Sequence, residues 1–162
     1  KSARELAYAN SARQSALDSA MNLVNECMQC DSIRKAVVDF KITLFVSMKK
    51  YAEGIGFIES LSEKDFTYGY KQKFMSKGLQ ALEFNSKSDT IKRTLVYQEI
   101  VNDIEQYINN KQDIGSKEFI EIYTDLFAVK EKYLDANQIN KEVEALKSKY
   151  PDKQSFLDFL KN

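Results

Sequence analysis

The sequence contains almost nothing that would interrupt a helix. Pro151 is the only proline among 162 residues, and there are only five glycines. Proline removes a backbone donor and clashes with the preceding turn, so a chain with one proline near its end can form long helices. Apolar residues recur every three or four positions between the few breakers, which is the spacing of one helical face. The pattern predicts an all-α protein.

The predicted architecture is an antiparallel up-and-down helical bundle of four or five longer helices with short C-terminal helices. Short polar segments separate the helical patterns, and short connections favour antiparallel neighbours. Among them, Ser62 and Asp65 have the spacing of a helix-starting capping box. The longer helices are expected at about residues 3–30, 33–61, 63–84, 90–108 and 117–134, and the short ones within 138–149 and 153–160.

Two stripes of apolar residues define the predicted core faces of the first two helices. The first stripe contains Ala16, Ala20, Leu23, Cys27 and Cys30, is extended by Leu6 and Ala9, and is widened by Leu17, Val24 and Met28. The second contains Ile33, Val37, Phe40, Leu44, Met48, Tyr51, Ile55 and Ile58. Residues 40–46 are also rich in strand-forming types, but no turn residues flank them. We therefore expect a helix there, which Gly54 or Gly56 could end or kink.

The length and composition indicate one globular domain. A compact domain usually has about 100–200 residues, so we expect a single helical-bundle domain over residues 1–162. Apolar residues make up 43% of the chain and charged residues 30%, an ordinary globular balance. Because the chain begins at Lys1 rather than Met, we expect a fragment or processed product of a longer precursor. It is either cytoplasmic or exported after removal of an N-terminal signal.

Neither the charge nor the hydropathy favours nucleic acid or a membrane as the partner. The 24 basic and 24 acidic residues cancel, so no long-range field steers the protein to nucleic acid. The longest strongly apolar stretch covers residues 42–48, far short of the roughly 20 residues that cross a bilayer. We expect no membrane span and consider nucleic acid an unlikely partner.

The chain contains no histidine. This excludes Ser-His-Asp and Cys-His catalysis, zinc sites that need histidine, and the di-metal sites common in helical bundles. It also removes the usual general base near neutral pH. We therefore expect a non-enzymatic protein with no catalytic residues, no cofactor and no metal.

Cys27 and Cys30 form the only motif-like pair. Zinc needs four ligands, and there is no second cysteine pair to complete such a site. A thioredoxin-like redox pair begins a helix, whereas this pair falls late in a predicted one. Their helical spacing favours two thiols in the core. A local disulfide between them is the alternative, since residues three apart in a helix lie within bridging distance.

The densest aromatic stretch covers residues 66–74 and is interleaved with lysines. It predicts a partner-binding patch, in which Tyr and Phe side chains provide much of the binding energy. The patch consists of Tyr68, Tyr70, Lys71, Lys73 and Lys77. The alternative is a core stripe of Phe66, Tyr70 and Phe74, which repeat every four residues.

These observations lead to three hypotheses of function. The first is a non-enzymatic helical module that binds another protein, as an adaptor, a secretion or surface component, or an inhibitor-like partner. The second is a small-ligand-sensing bundle with a pocket between helices, lined by Tyr51, Tyr97, Tyr107 and Tyr123. A weaker alternative is nucleic-acid binding through the aromatic and lysine patch, which predicts steep salt dependence.

Overall fold

The computed structural model of the chain describes residues 3–111 and 113–160, and the side chains of residues 3–9 and 31 lie outside the description. Within these ranges there are eight α-helices, three short 3₁₀ turns and no β-strand, so the all-α prediction is confirmed. The helices are α1 (Ala3–Cys27), α2 (Arg34–Ser47), α3 (Tyr51–Glu59), α4 (Lys71–Ser86), α5 (Thr90–Asn109), α6 (Ser116–Lys130), α7 (Ala136–Lys149) and α8 (Gln154–Phe159).

The backbone divides into two compact units. Unit 1 runs up to Glu83, and unit 2 starts at Phe84, so the division falls within α4. Each unit has its own buried residues and is described by itself. The single domain over residues 1–162 stays a prediction.

In unit 1, α1 packs against α2. Their buried cluster consists of Val24, Val37 and Leu44, with Leu17, Ala20, Met21, Cys27 and Met28 packed against it. The predicted stripe of α1 is wrong at Leu23, which is 62% exposed, and at the exposed Ala16 and Cys30. The buried face of α1 instead contains Val24, with Leu17 and Met28 packed against the same cluster. The prediction had placed these three residues at the margin of the stripe. Leu6 and Ala9 lie outside the described side chains.

The predicted second helix is wrong in its length, because α2 and α3 are separate. Lys49 has a φ of 58°, a left-handed conformation that ends a helix. The N–H of Lys50 donates to the carbonyl of Phe45 over 2.9 Å and closes the turn. Residues 40–46 are helical, as predicted, but Phe40 is 51% exposed and Ile33 is 48% exposed. These two therefore do not belong to the core stripe.

Gly54 lies inside α3 and allows three helices to approach closely. A Cβ at this position would lie 2.7 Å from Leu79 Cδ1 and 3.0 Å from Phe45 Cβ, whereas one at Gly56 would meet nothing within 4 Å. The expectation that Gly54 or Gly56 could end the helix is therefore wrong, because α3 continues through both residues to Glu59. The buried residues around it form a core of Val38, Ile42, Ile58, Phe66 and Leu79.

The helix predicted from residue 63 begins only at Lys71, after a 3₁₀ turn (Glu63–Asp65). The Asp65 carboxylate accepts from the N–H of Ser62 over 3.1 Å, so the predicted pairing exists but closes a short turn. Arg34 Nε donates to Asp65 Oδ1 over 2.5 Å, and Arg34 also donates to the carbonyl of Met28 over 2.9 Å. One arginine thereby joins the α1–α2 connection to the turn before α4.

Unit 2 is built from α5 to α8, and its helix starts match the predicted polar breaks. Asp89 accepts from the N–H of Lys92 at the start of α5, and Asp135 accepts from the N–H of Gln138 at the start of α7. The 3₁₀ turn at Pro151–Lys153 separates α7 from α8. The most deeply buried large side chains of this unit are Ile100, Ile104, Ile122, Phe127, Val143 and Leu157.

Candidate functional site

Unit 2 contains two adjoining cavities between the end of α5, α6 and α7. Their volumes are about 400 and 320 Å³, and both are lined by Ile108, Asn109 and Lys149. We name the continuous surface the α5–α7 groove; it is lined by residues from segments 105–111, 113–114, 119–130 and 142–153. A volume of this size falls within the range of ligand sites.

A buried lysine connects the three helices that form the groove. Lys130 is 7% exposed, and its Nζ donates to Glu105 Oε1 over 2.8 Å and to Glu142 Oε2 over 2.5 Å. Burial alone lowers the pKa of this ammonium, but the hydrogen bonds to the two carboxylates more than offset burial and raise it. Lys130 therefore stays charged, and α5, α6 and α7 are held at a defined spacing.

The two carboxylates face a different environment from the lysine. Glu105 retains 45% and Glu142 39% of their side-chain exposure. Each uses one oxygen for Lys130, and within the described part of the chain nothing donates to the other oxygen. Both residues line the 320 Å³ cavity. The groove thus has one available acceptor oxygen on Glu105 and one on Glu142, both next to the buried ammonium of Lys130.

Four aromatic rings form an aromatic wall beside the two cavities; Phe119 and Tyr150 line the 400 Å³ cavity and Tyr123 lines the 320 Å³ cavity. Phe119 lies 4.5 Å from Tyr123 and 5.0 Å from Tyr150, measured between ring centroids, and 6.1 Å from Phe156. Burial, together with a hydrogen bond to Tyr150, raises the pKa of the Tyr123 phenol. Such tilted and edge-on contacts stabilise aromatic pairs beyond their buried area. The four rings therefore stabilise one another's positions beside the groove.

A second ion pair lies at the other end of the groove. Glu118 is 9% exposed and accepts from Tyr107 Oη over 2.6 Å and from Lys111 Nζ over 2.5 Å. Burial would raise the pKa of this carboxyl, but the hydrogen bonds from Lys111 and Tyr107 lower it overall. This group keeps Lys111 at the edge of the 400 Å³ cavity.

The predicted partner patch lies in unit 1, and the structure corrects one of its members. Tyr70 is only 5% exposed and contributes to the core, as Phe66 does, so the core-stripe interpretation is confirmed for these two. The rings of Tyr68 and Tyr70 stack with centroids 6.4 Å apart. Tyr68, Lys71 and Lys77 are half-buried and Lys73 is exposed; a binding role for these four stays a prediction.

The two cysteines occupy different environments. Both are free thiols; Cys27 is half-buried and Cys30 is exposed. Cys27 packs against the cluster of α1 and α2, as expected for a core thiol, whereas the same expectation is wrong for Cys30. A local disulfide between them stays a prediction.

Only one of the four tyrosines proposed as pocket linings lines the groove. Tyr123 does so, and Tyr107 contributes through Glu118, whereas Tyr51 packs in the core of unit 1. Tyr97 is half-buried in α5. The Lys130 cluster was missed by sequence reasoning, although Lys130 continues the stripe of Phe119, Tyr123, Leu126 and Phe127. A lysine on a core face was the available signal.

None of the helices that the structure describes is long and apolar enough to cross a membrane. Comparison with protein-family models, with curated proteins and with solved structures finds no match for this chain.

Proposed function

We propose that the protein is a non-enzymatic helical module that binds another protein. Its role would be that of an adaptor, a secretion or surface component, or an inhibitor-like partner, with a segment of the partner lying in the α5–α7 groove. The observation that carries this proposal is a groove of two adjoining cavities that continues across three helices. A site of this shape suits a chain segment better than a compact molecule.

The composition of the groove supports the same proposal. Ile108, Leu126 and Leu146 are apolar lining residues, while Glu105 and Lys149 supply charge. Protein interfaces typically combine an apolar centre with a polar rim. The groove walls are held by the Lys130 ion pairs and by the aromatic wall. A preformed site loses less conformational entropy on binding.

The test compares two exposed alanines that differ in their position relative to the groove. Ala145 lines the groove, whereas Ala128 is not among its lining residues. Ala145→Gln places a longer polar side chain in the site, and Ala128→Gln is the matched control. Stoichiometric co-purification from native extract is expected for the wild type and for the control, with clear loss for Ala145→Gln. Absence of any stoichiometric protein partner, together with turnover of a small substrate, contradicts the proposal.

The second proposal, a small-ligand-sensing bundle, is favoured by one observation. The 320 Å³ cavity alone is large enough for a small molecule, and Tyr123 and Lys130 among its lining residues are buried. In this case a ligand would raise the melting temperature of the isolated protein, and Ala145→Gln would reduce that rise. A protein-binding module without a small ligand shows no such shift.

A further inference from the structure

We infer that the partner segment carries a basic side chain, Lys or Arg, whose cationic group binds the outer carboxylate oxygens of Glu105 and Glu142. The inference rests on the proposed function and adds the chemistry of the partner at one end of the α5–α7 groove. It starts from the geometry of the Lys130 cluster and the lining of the cavity beside it.

The two carboxylates converge on one point. Glu105 and Glu142 both accept from the Nζ of Lys130, at 2.8 and 2.5 Å, so the two carboxylates bind the same ammonium group. The three groups together carry one net negative charge. One additional cation at the half-exposed outer oxygens makes the cluster neutral, and an ionised donor forms stronger hydrogen bonds there than a neutral one.

The same cavity provides a surface for the stem of such a side chain. Leu126, Leu146 and Phe127 line it beside the two carboxylates. Lysine and arginine bury their aliphatic stems along apolar surface while the charged group stays at a polar position. An acidic side chain would instead bring a third carboxylate to two existing ones, which disfavours it at this end.

Lys149 does not remove this preference. Among the described residues its ammonium contacts no carboxylate, and it lies 5.2 Å from the ring centroid of Tyr150, at the boundary with the second cavity. Lys149 lines both cavities, whereas Lys111 and Lys153 line only the 400 Å³ cavity. The 400 Å³ cavity has charges of both signs, from Lys111 and Lys153 and from Asp113 and Asp152, whereas the carboxylates of the 320 Å³ cavity are Glu105 and Glu142.

A free alkyl amine offers the same cation and stem, but it occupies only one of the two cavities. The groove continues from the 320 Å³ cavity into the 400 Å³ cavity past Ile108 and Asn109. A peptide segment with a basic residue fills both. The geometry thus favours a protein side chain as the source of the cation.

The experiment selects binders from a random twelve-residue peptide display library on the whole protein. We expect enrichment of peptides in which Lys or Arg is flanked by apolar residues. The affinity of the best peptide should fall about threefold to tenfold in Glu105→Gln and in Glu142→Gln, as for partly exposed charged pairs. Glu131→Gln, an exposed glutamate outside the groove lining, is the control and should leave the affinity unchanged. Replacing the basic residue of the peptide by norleucine should remove the difference between the variants.

Lys130→Met distinguishes a charge effect from a structural one. If Lys130 only supports the structure, its removal weakens peptide binding, whereas the inference predicts tighter binding. This change leaves both carboxylates and removes the internal cation, so the net charge of the cluster becomes more negative. Binding of the basic peptide should tighten about threefold or more, and increasing salt should weaken it. Weakened binding in a Lys130→Met variant that keeps its circular dichroism spectrum and melting temperature contradicts the inference.

The failures of the inference and of the proposed function are distinguishable. Enriched peptides without a basic residue, whose binding still weakens in Ala145→Gln, overturn the inference and leave the groove as a protein-binding site. If n-pentylguanidinium binds more tightly than the peptides, the cation comes from a small molecule, and the inference that a protein side chain supplies it is contradicted. A selection that enriches no peptide dependent on Ala145 overturns both proposals.

Discussion

The ion pair of Asp65 in unit 1 and the ion cluster of Lys130 in unit 2 bury charges of opposite sign. In unit 1 the buried group is a carboxylate: Asp65 is 4% exposed and binds the more exposed Arg34. In unit 2, Glu118 is likewise a buried carboxylate that binds Lys111, but Lys130 is a buried ammonium whose carboxylate partners are half-exposed. Asp65 also accepts from both the N–H and the hydroxyl of Ser62, so its acceptors are used within the protein. Glu105 and Glu142 each keep one oxygen that accepts no hydrogen bond from the described residues.

This difference separates a structural ion pair from a candidate binding site. A cleft of about 500 Å³ lined by Arg34, Lys35, Lys64 and Asp65 also exists in unit 1. There, however, the arginine and aspartate already bind each other and join two connecting segments. In unit 1 the Arg34–Asp65 pair only joins two connecting segments. In unit 2 the Lys130 cluster joins three helices and also lines a groove with apolar residues.

The largest expected effect compares a phenylalanine in each unit. Phe127 is 1% exposed, whereas Phe40 is 51% exposed although the apolar pattern placed it in the core. Phe127→Ala should lower the free energy of unfolding by about 3–5 kcal/mol, and Phe40→Ala by about 1 kcal/mol or less. Denaturant unfolding followed by circular dichroism measures both. Equal losses for the two variants would contradict the assigned faces of α2 and α6.

The next effect tests the close helix packing of unit 1. Gly54→Val places atoms against Phe45 and Leu79, which lie 3.0 and 2.7 Å from the Cβ position, and overpacking costs about 1–3 kcal/mol. Gly56→Val is the control, because its Cβ meets nothing within 4 Å. Thermal unfolding should show a lower melting temperature for the first variant only. A control variant that melts as early as Gly54→Val points to helix propensity rather than packing.

The Arg34–Asp65 ion pair of unit 1 predicts that the stability of the folded state depends on pH. The hydrogen bond from Arg34 holds the pKa of Asp65 at about 2, below its ordinary value near 3.9. A carboxyl with a lowered pKa stabilises the folded state fully above about pH 4, and this contribution disappears as the pH falls toward 2. Asp65→Asn should therefore cost about 1–3 kcal/mol at pH 7.

The measurement is urea unfolding of the wild type and Asp65→Asn at a series of pH values. The difference between them should shrink from pH 4 to pH 2. Asp18→Asn, at an exposed position of α1, controls for the loss of any one carboxylate. A difference that stays constant down to pH 2 contradicts the role assigned to Arg34.

The smallest expected effect concerns the ion cluster of unit 2. Removing one partner of a buried ion pair is destabilising because the other charge loses its compensation. Glu105 and Glu142 are half-exposed and can be solvated, so Lys130→Met should lower the free energy of unfolding by only about 1 kcal/mol. The raised pKa of Lys130 stabilises the folded state below its ordinary value near 10.4, and this contribution disappears at higher pH. The wild type should accordingly lose more stability than Lys130→Met above pH 10.5, as measured by chemical unfolding. The reverse order would show that the ion pairs do not stabilise unit 2.

Local chemistry allowed the sequence to predict the helices with polar starts and the all-α class. The helices expected from about residues 90 and 117 begin at Thr90 and Ser116, and Pro151, which lacks a backbone donor, follows the end of α7. The break at Lys49 could not be predicted in this way, because neither glycine nor proline is present there. Its cause is tertiary packing, in which α3 folds back on α2.

The Lys130 cluster could not be predicted from the apolar spacing of the sequence, because it also depends on tertiary packing. Lys130 and Glu105 are 25 residues apart, and no local spacing brings them together. Tyr123 could be proposed because aromatic residues near a core face often line pockets. A lysine at a core position is informative only once the helices that face it are known, since burial of its charge requires partners from those helices.

The most direct test is chemical-shift mapping of the protein with the partner that co-purifies with it. The largest amide shifts should fall in residues 105–109, 123–130 and 142–150, in the segments that line the α5–α7 groove. Shifts concentrated in residues 66–77 of unit 1, with the groove unchanged, would contradict the proposed binding site.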